Sequence, residues 1–127
     1  MPRMPNLDTA LKDAMAIDGA VGVAIVDYTS GMALATLGNS PDLDLNVAAA
    51  GNTEVVRAKM RTMEMLNLGH EGIEDILITL GGQYHLIRPM TAKSSKGHFL
   101  YLALNRSRAN LAMARLRLRQ IEDNLVI

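Results

Sequence analysis

The chain has 127 residues and a mass of 13.8 kDa, which leaves room for one domain and one core. Apolar residues make up 49% and charged residues 20%, excluding a disordered or collagen-like chain; the absence of cysteine excludes disulfides, thiolate metal sites and a cysteine nucleophile. Thirteen Lys and Arg balance thirteen Asp and Glu, but eleven of the bases lie in residues 57–127, so residues 1–56 carry a net −5 and residues 57–127 a net +5, as in two halves of one domain that attract each other.

A helix is predicted from about Leu7 to Ile17, where Leu7, Leu11, Ala14 and Met15 recur at helical spacing, with Asn6 as its cap and Gly19 as its stop. Ala20 to Asp27 is apolar on both alternating faces, the mark of a central strand covered on both sides. Asp27-Tyr-Thr-Ser-Gly31 reads as a turn, and Met32 to Leu37 as the returning strand. A long helix follows over about Leu45 to Leu68. Its Glu54, Arg57, Arg61 and Glu64 form one polar stripe, spaced to pair along the helix. Most of its remaining circumference is apolar, with Ala48, Val55 and Leu66 on one flank and Val56, Met60 and Met63 on the other. A helix covering only its own sheet needs a narrower stripe than that, so a second surface must cover the surplus.

Gly69 and Gly72 bracket a break, after which the pattern switches to period two. Asp75 to Leu80, the Gly81-Gly82 pair and Gln83 to Arg88 predict a hairpin with a two-residue turn, ended by Pro89. His98 to Leu104 is again apolar on both faces, and a last helix is predicted from about Ser107, with Leu111, Ala114, Leu118, Ile121 and Leu125 on one side. Five strands joined mostly by hairpins, with both faces apolar, give an α+β fold: a five-stranded antiparallel sheet between helices in a three-layer sandwich. Residues 1–127 form a single domain, with its core over about 6–125.

Motifs for catalysis are missing. There is no phosphate loop, and Gly19 to Gly22 sits at a strand entry, where small residues serve close helix–sheet packing. His70, His85 and His98 lack ligand spacing; His85 and His98, on hairpin-connected strands, are placed to meet, but no acid accompanies them. Glu74 and Asp75 read as charges that blunt an edge strand, and Ser94-Ser95 between two lysines reads as a solvated hairpin tip. The arginines Arg106, Arg108, Arg115, Arg117 and Arg119 read as a solvated face; without stacking aromatics or a helix-turn-helix pattern they do not make a nucleic-acid site. No apolar stretch reaches the roughly 20 residues of a membrane span, and the start, Met1-Pro-Arg-Met-Pro, shows no apolar signal region. The expectation is a soluble cytoplasmic protein with no cofactor, no metal and no membrane insertion.

The element order, the Asp27 to Gly31 turn, the long Ala- and Met-rich middle helix, and Asn105-Arg-Ser-Arg-Ala-Asn-Leu111 running into Ala114-Arg115 resemble the roadblock/dynein light chain family. The resemblance implies a middle helix on one face of the sheet and the two terminal helices on the other. It also implies a homodimer in which the third strand and the middle helix meet their symmetry mates, and a role as regulator or platform of a Ras-like small GTPase, with no shared catalytic residue. An apolar edge strand and a surplus apolar helix flank support the dimer independently. On that reading Val55, Val56, Met60, Met63, Ile76 and Ile78 form the dimer interface, and Glu54, Arg57, Arg61 and Glu64 bind the partner. The competing reading is a small-ligand sensor or signalling domain of similar architecture. It needs a polar-lined cavity, whereas the central strands are filled with Val, Ile, Leu and Phe.

Overall fold

The structure, a computed structural model, describes residues 5–127; the charged start expected to lack a signal region lies largely outside the described residues. In chain order the elements are α1 (Pro5–Met15), β1 (Ala20–Asp27), β2 (Met32–Gly38), α2 (Leu45–Met65), β3 (Ile76–Thr79), β4 (Gln83–Pro89), β5 (His98–Asn105) and α3 (Leu111–Asp123). The strands form one antiparallel sheet in the order β2-β1-β5-β4-β3. The two strands with doubly apolar patterns are thus neighbours near the middle, as burial on both faces requires.

Alternation divides the core into two layers. Val23 and Ile25 of β1, Leu86 of β4 and Leu100, Leu102 and Leu104 of β5 point to one face, where Leu7, Leu11 and Ala14 of α1 and Ala114, Leu118 and Ile121 of α3 cover them. Ala24, Val26, Ile87, Phe99, Tyr101 and Ala103 point to the other, where Ala49 and Val56 of α2 join them. This is the three-layer sandwich expected, with α2 alone on its face.

Local chemistry sets the element ends. Gly19 closes α1 with φ +85°; a Cβ there would sit 3.0 Å from the Asn105 carbonyl oxygen, so only glycine fits. Asn6 does not cap α1; it lies inside the helix, and its side chain accepts from the Val126 backbone N–H at 3.0 Å. Asp44 caps α2 by accepting from the Asn46 and Val47 N–H groups. That helix ends at Met65, three residues earlier than the pattern suggested, because Asn67 takes φ 60° and turns the chain before Gly69. Likewise α3 begins at Leu111 rather than Ser107: Asn110 is its cap, accepting from the Met113 N–H, while Asn105 binds the Ser107 N–H and hydroxyl in a separate turn. Within β1, a Cβ on Gly22 would lie 2.9 Å from Leu43 and 3.1 Å from Leu45, so this glycine admits the start of α2.

The loop between β4 and β5 is not a solvated tip. Glu122, buried at the end of α3, takes Arg88 Nε at 2.7 Å and the Thr91 N–H at 3.0 Å. Ser94 donates to the Leu125 carbonyl, the Ile127 N–H donates to the Ser94 carbonyl, and Ser95 is buried. The loop is therefore held against the chain's last turn.

Candidate functional site

A helix 21 residues long lying on a sheet can bury only one side of itself. In α2 that side is Ala49, Thr53, Val56 and Met63, with Met60 half-buried against the same layer. Val56 has no exposed surface and Met63 only 9%, so these two are enclosed by their own chain and leave nothing for a partner. Of the sequence-based interface residues on this flank, Val56 and Met63 therefore face the chain's own sheet, while Met60 keeps part of its surface. Periodicity shows how wide an apolar arc is, but not which part of it meets the chain's own sheet.

The flank left open is the other one. Val47, Gly51, Val55, Ala58, Thr62 and Leu66 follow one another at steps of three and four residues and share one side of the helix. Val47 is 68% exposed, and Leu66 and neighbouring Met65 are more than half exposed. Of this stripe the sequence-based site named only Val55, although the alternation of small and branched residues was there to be read.

Next to the stripe the sheet lacks a cover. An open groove runs between Val47, Ala48, Gly51 and Asn52 of α2 and His85 and Tyr101 on the sheet, closed at one end by Asp42, Leu43 and Asp44. Beyond it Ile78, in register with His85, and Ile76, in register with Ile87, remain partly exposed. Stripe and sheet together form a trough with a helical wall and a floor of β strands. At its far side β3 is the last strand of the sheet, with no neighbour along its outer edge among the described residues.

One polar cluster stands in the floor. His85 Nε2 lies 2.8 Å from Gln83 Oε1 and so acts as the donor; Nδ1 accepts from the Tyr101 hydroxyl at 3.2 Å. The rings also meet edge to face, with centroids 5.3 Å apart. Burial lowers the His85 pKa and pushes that of Tyr101 up to about 12, so both are neutral at physiological pH. His98 does not join them. It pairs in register with Asp27 at the opposite end of β5 and meets the Ser95 carbonyl instead, so the expected approach of the two histidines does not occur. Among the described residues no group of three acids or histidines is placed to hold a metal.

Glu54, Arg57, Arg61 and Glu64 lie on a further side of α2, all exposed. None of the four forms an ion pair with another described residue, so the pairing along the helix expected from their spacing is not formed and their charges remain available. Among the described residues, no helix is long and apolar enough to cross a membrane.

No protein-family model and no curated protein sequence matches the chain. Solved structures do. The gliding protein MglB of Thermus thermophilus superposes with a TM-score of 0.80 at 15% identity, covering 98% of this chain and 90% of that one. Myxococcus xanthus MglB gives 0.77 at 16% identity over 97% and 94%, and a Roadblock/LC7 domain from Streptomyces avermitilis gives 0.73 at 12% identity over 91% of each chain. The chain has the Roadblock/LC7 fold. At these identities the likeness lies in the path of the chain, so the roadblock fold supplies the scaffold and the exposed residues supply whatever is particular to this protein.

Proposed function

We propose that this roadblock-fold chain is a non-enzymatic binding module: a homodimer that acts as regulator or platform of a Ras-like small GTPase. The observation that carries the dimer is the trough. Two copies related by a two-fold axis would each lay the open stripe of α2 into the other's trough, with β3 pairing along its free edge to extend the sheet. Contacts would then come from Val47, Val55, Ala58 and Leu66 on the helix and from Ile76 and Ile78 on the sheet. Gly51 and Ala58 would let the two helices approach closely.

The partner reading rests on the small-GTPase role that the roadblock resemblance implies, on the fold shared with MglB structures, and on the unpaired charges of α2. A dimer would present Glu54, Arg57, Arg61 and Glu64 twice, as one charged platform. A Ras-like GTPase changes shape with its γ-phosphate, so a platform fitted to one switch arrangement reads the nucleotide state without touching the nucleotide. In this reading the chain contributes surface and charge, not a nucleophile, a metal or a cofactor.

Capture of purified small GTPases from the same cell, loaded with GDP or a non-hydrolysable GTP analogue, tests the proposal, together with hydrolysis rates with and without the chain. Capture in one nucleotide state is the expected result. Reversing both Arg57 and Arg61 to Glu should abolish it while leaving the dimer intact; unchanged capture by that variant would move the partner surface elsewhere.

A further inference from the structure

A strand of four residues at the margin of a sheet is a poor template for pairing, because ordering it costs conformational entropy at every residue and only one neighbour repays that cost. In this chain β3 is such a strand. Yet it is tied at both ends by side chains from outside its own hairpin turn. At its start, Arg115 of α3 grips Asp75 with two hydrogen bonds, Nε to Oδ2 at 2.8 Å and Nη2 to Oδ1 at 3.1 Å. Arg88 of β4 adds a longer contact from Nη1 to the Glu74 carbonyl at 3.4 Å. At its end, Arg106, just past β5, donates from Nη1 to the Leu80 carbonyl at 2.9 Å, and its backbone N–H donates to the Gly82 carbonyl at 3.0 Å. The Arg106 guanidinium also lies 5.1 Å from the centre of the Tyr84 ring, which fixes its direction.

The layout is one-sided. Arg115 comes from α3, on the face opposite α2, and Arg88 is held on that same face by Glu122. None of these ties occupies the α2 face of β3, and the strand's outer edge has no strand partner among the described residues. The planar, bidentate grip of Arg115 sets position and direction together, which a lysine's single ammonium does not do.

We infer that Arg115 and Arg106 are positioning residues for strand pairing: they hold β3 in register so that its free edge can accept a second copy of this chain. This rests on the dimer proposed above and assigns to residues outside the contact a share of its strength. A dimer contains two copies of β3, so loss of order is felt twice. A variant whose β3 is ordered one-third of the time would associate about ninefold more weakly.

The test measures dimer dissociation by sedimentation over a concentration series, with hydrogen exchange of residues 76–80 followed in the same samples. Arg115→Gln and Asp75→Asn should each weaken the dimer about tenfold and speed exchange in β3, while exchange in β1 and α1 stays slow. The double variant should be no worse than either single one, because both remove the same grip. Arg115→Lys should restore only part of the loss. Should Arg115→Gln fail to fold, Arg106→Gln, at an exposed position, carries the test with the same expectation at the other end of the strand. Wild-type dissociation constants for Arg115→Gln, or for Arg106→Gln where that variant stands in, would overturn the inference and leave the dimer standing. A wild-type chain that remains monomeric at high concentration would overturn both.

Discussion

The two faces of the sheet are built to different ends. On one, α1 and α3 lie side by side and enclose a continuous layer from Leu7 to Leu125, bounded by the buried pair of Arg88 and Glu122. On the other, a single helix covers β1 and β2 and leaves a trough over His85 of β4 and Tyr101 of β5, with Ile76 and Ile78 of β3 partly exposed beyond it. The first layer is complete in one chain; the second holds enough apolar surface to fold and leaves part of it bare. What separates them is helix count: two helices span a five-stranded sheet and one does not. The open face is therefore where association can change without refolding the domain.

Substitutions should sort the two faces by their effect on unfolding. Leu118→Ala, in the closed layer, should lower stability by about 3–4 kcal/mol in urea titrations, because the cavity it leaves is walled on every side. Removing one partner of the Arg88 pair by Glu122→Ala should cost about 3 kcal/mol, since it strands a mostly buried guanidinium and frees the Thr91 N–H.

The trough's polar cluster should show itself through pH. The Tyr101 phenol stays protonated in the fold up to about 12, whereas in the unfolded chain it ionises near 10. Its contribution is present below pH 10 and fades between 10 and 12, by about 1–2 kcal/mol. His85 works in the other direction: burial lowers its pKa, so as pH falls below about 6.5 the unfolded chain takes up a proton first and stability declines. Urea midpoints across pH should lose the alkaline slope in Tyr101→Phe and part of the acid slope in His85→Gln. The smallest effect on unfolding should come from Ala58→Glu, within about 0.5 kcal/mol at an exposed helix site, yet it should separate the proposed dimer by setting a charge into the proposed helix contact. If Ala58→Glu destabilised the single chain as much as Leu118→Ala, the contrast between the faces would be lost.

Much of the closed face was legible in the sequence, because its information is local. The doubly apolar runs of β1 and β5 and the three-and-four spacing of α1 and α3 each declare what must be buried. The open face was legible only as a surplus. Val55 and Val56 are adjacent and equally apolar, and nothing in the helical period says that Val56 goes in and Val55 out. Arg115 and Asp75 stand 40 residues apart, and Arg88 and Glu122 stand 34 apart. Read in line, Arg115 looks like part of a solvated basic face and Arg88 like the end of a strand; they become ties only when the sheet order brings α3 over β3 and β4. The expected meeting of His85 and His98 fails for the same reason, since register along two antiparallel strands sets them at opposite ends.

The strand order also has a consequence in time. β1 and β2 form one hairpin, β3 and β4 another, and the strand that touches both is β5, the last of the five in chain order. As the protein emerges from a ribosome, two separate ribbons and two helices must wait until about residue 105 is free before a common sheet can exist. Closure then joins Ala20 to Leu104, partners more than eighty residues apart, which places this fold among those whose rate is set by distant contacts rather than by local ones. Its centre is the last part of the sheet to be made.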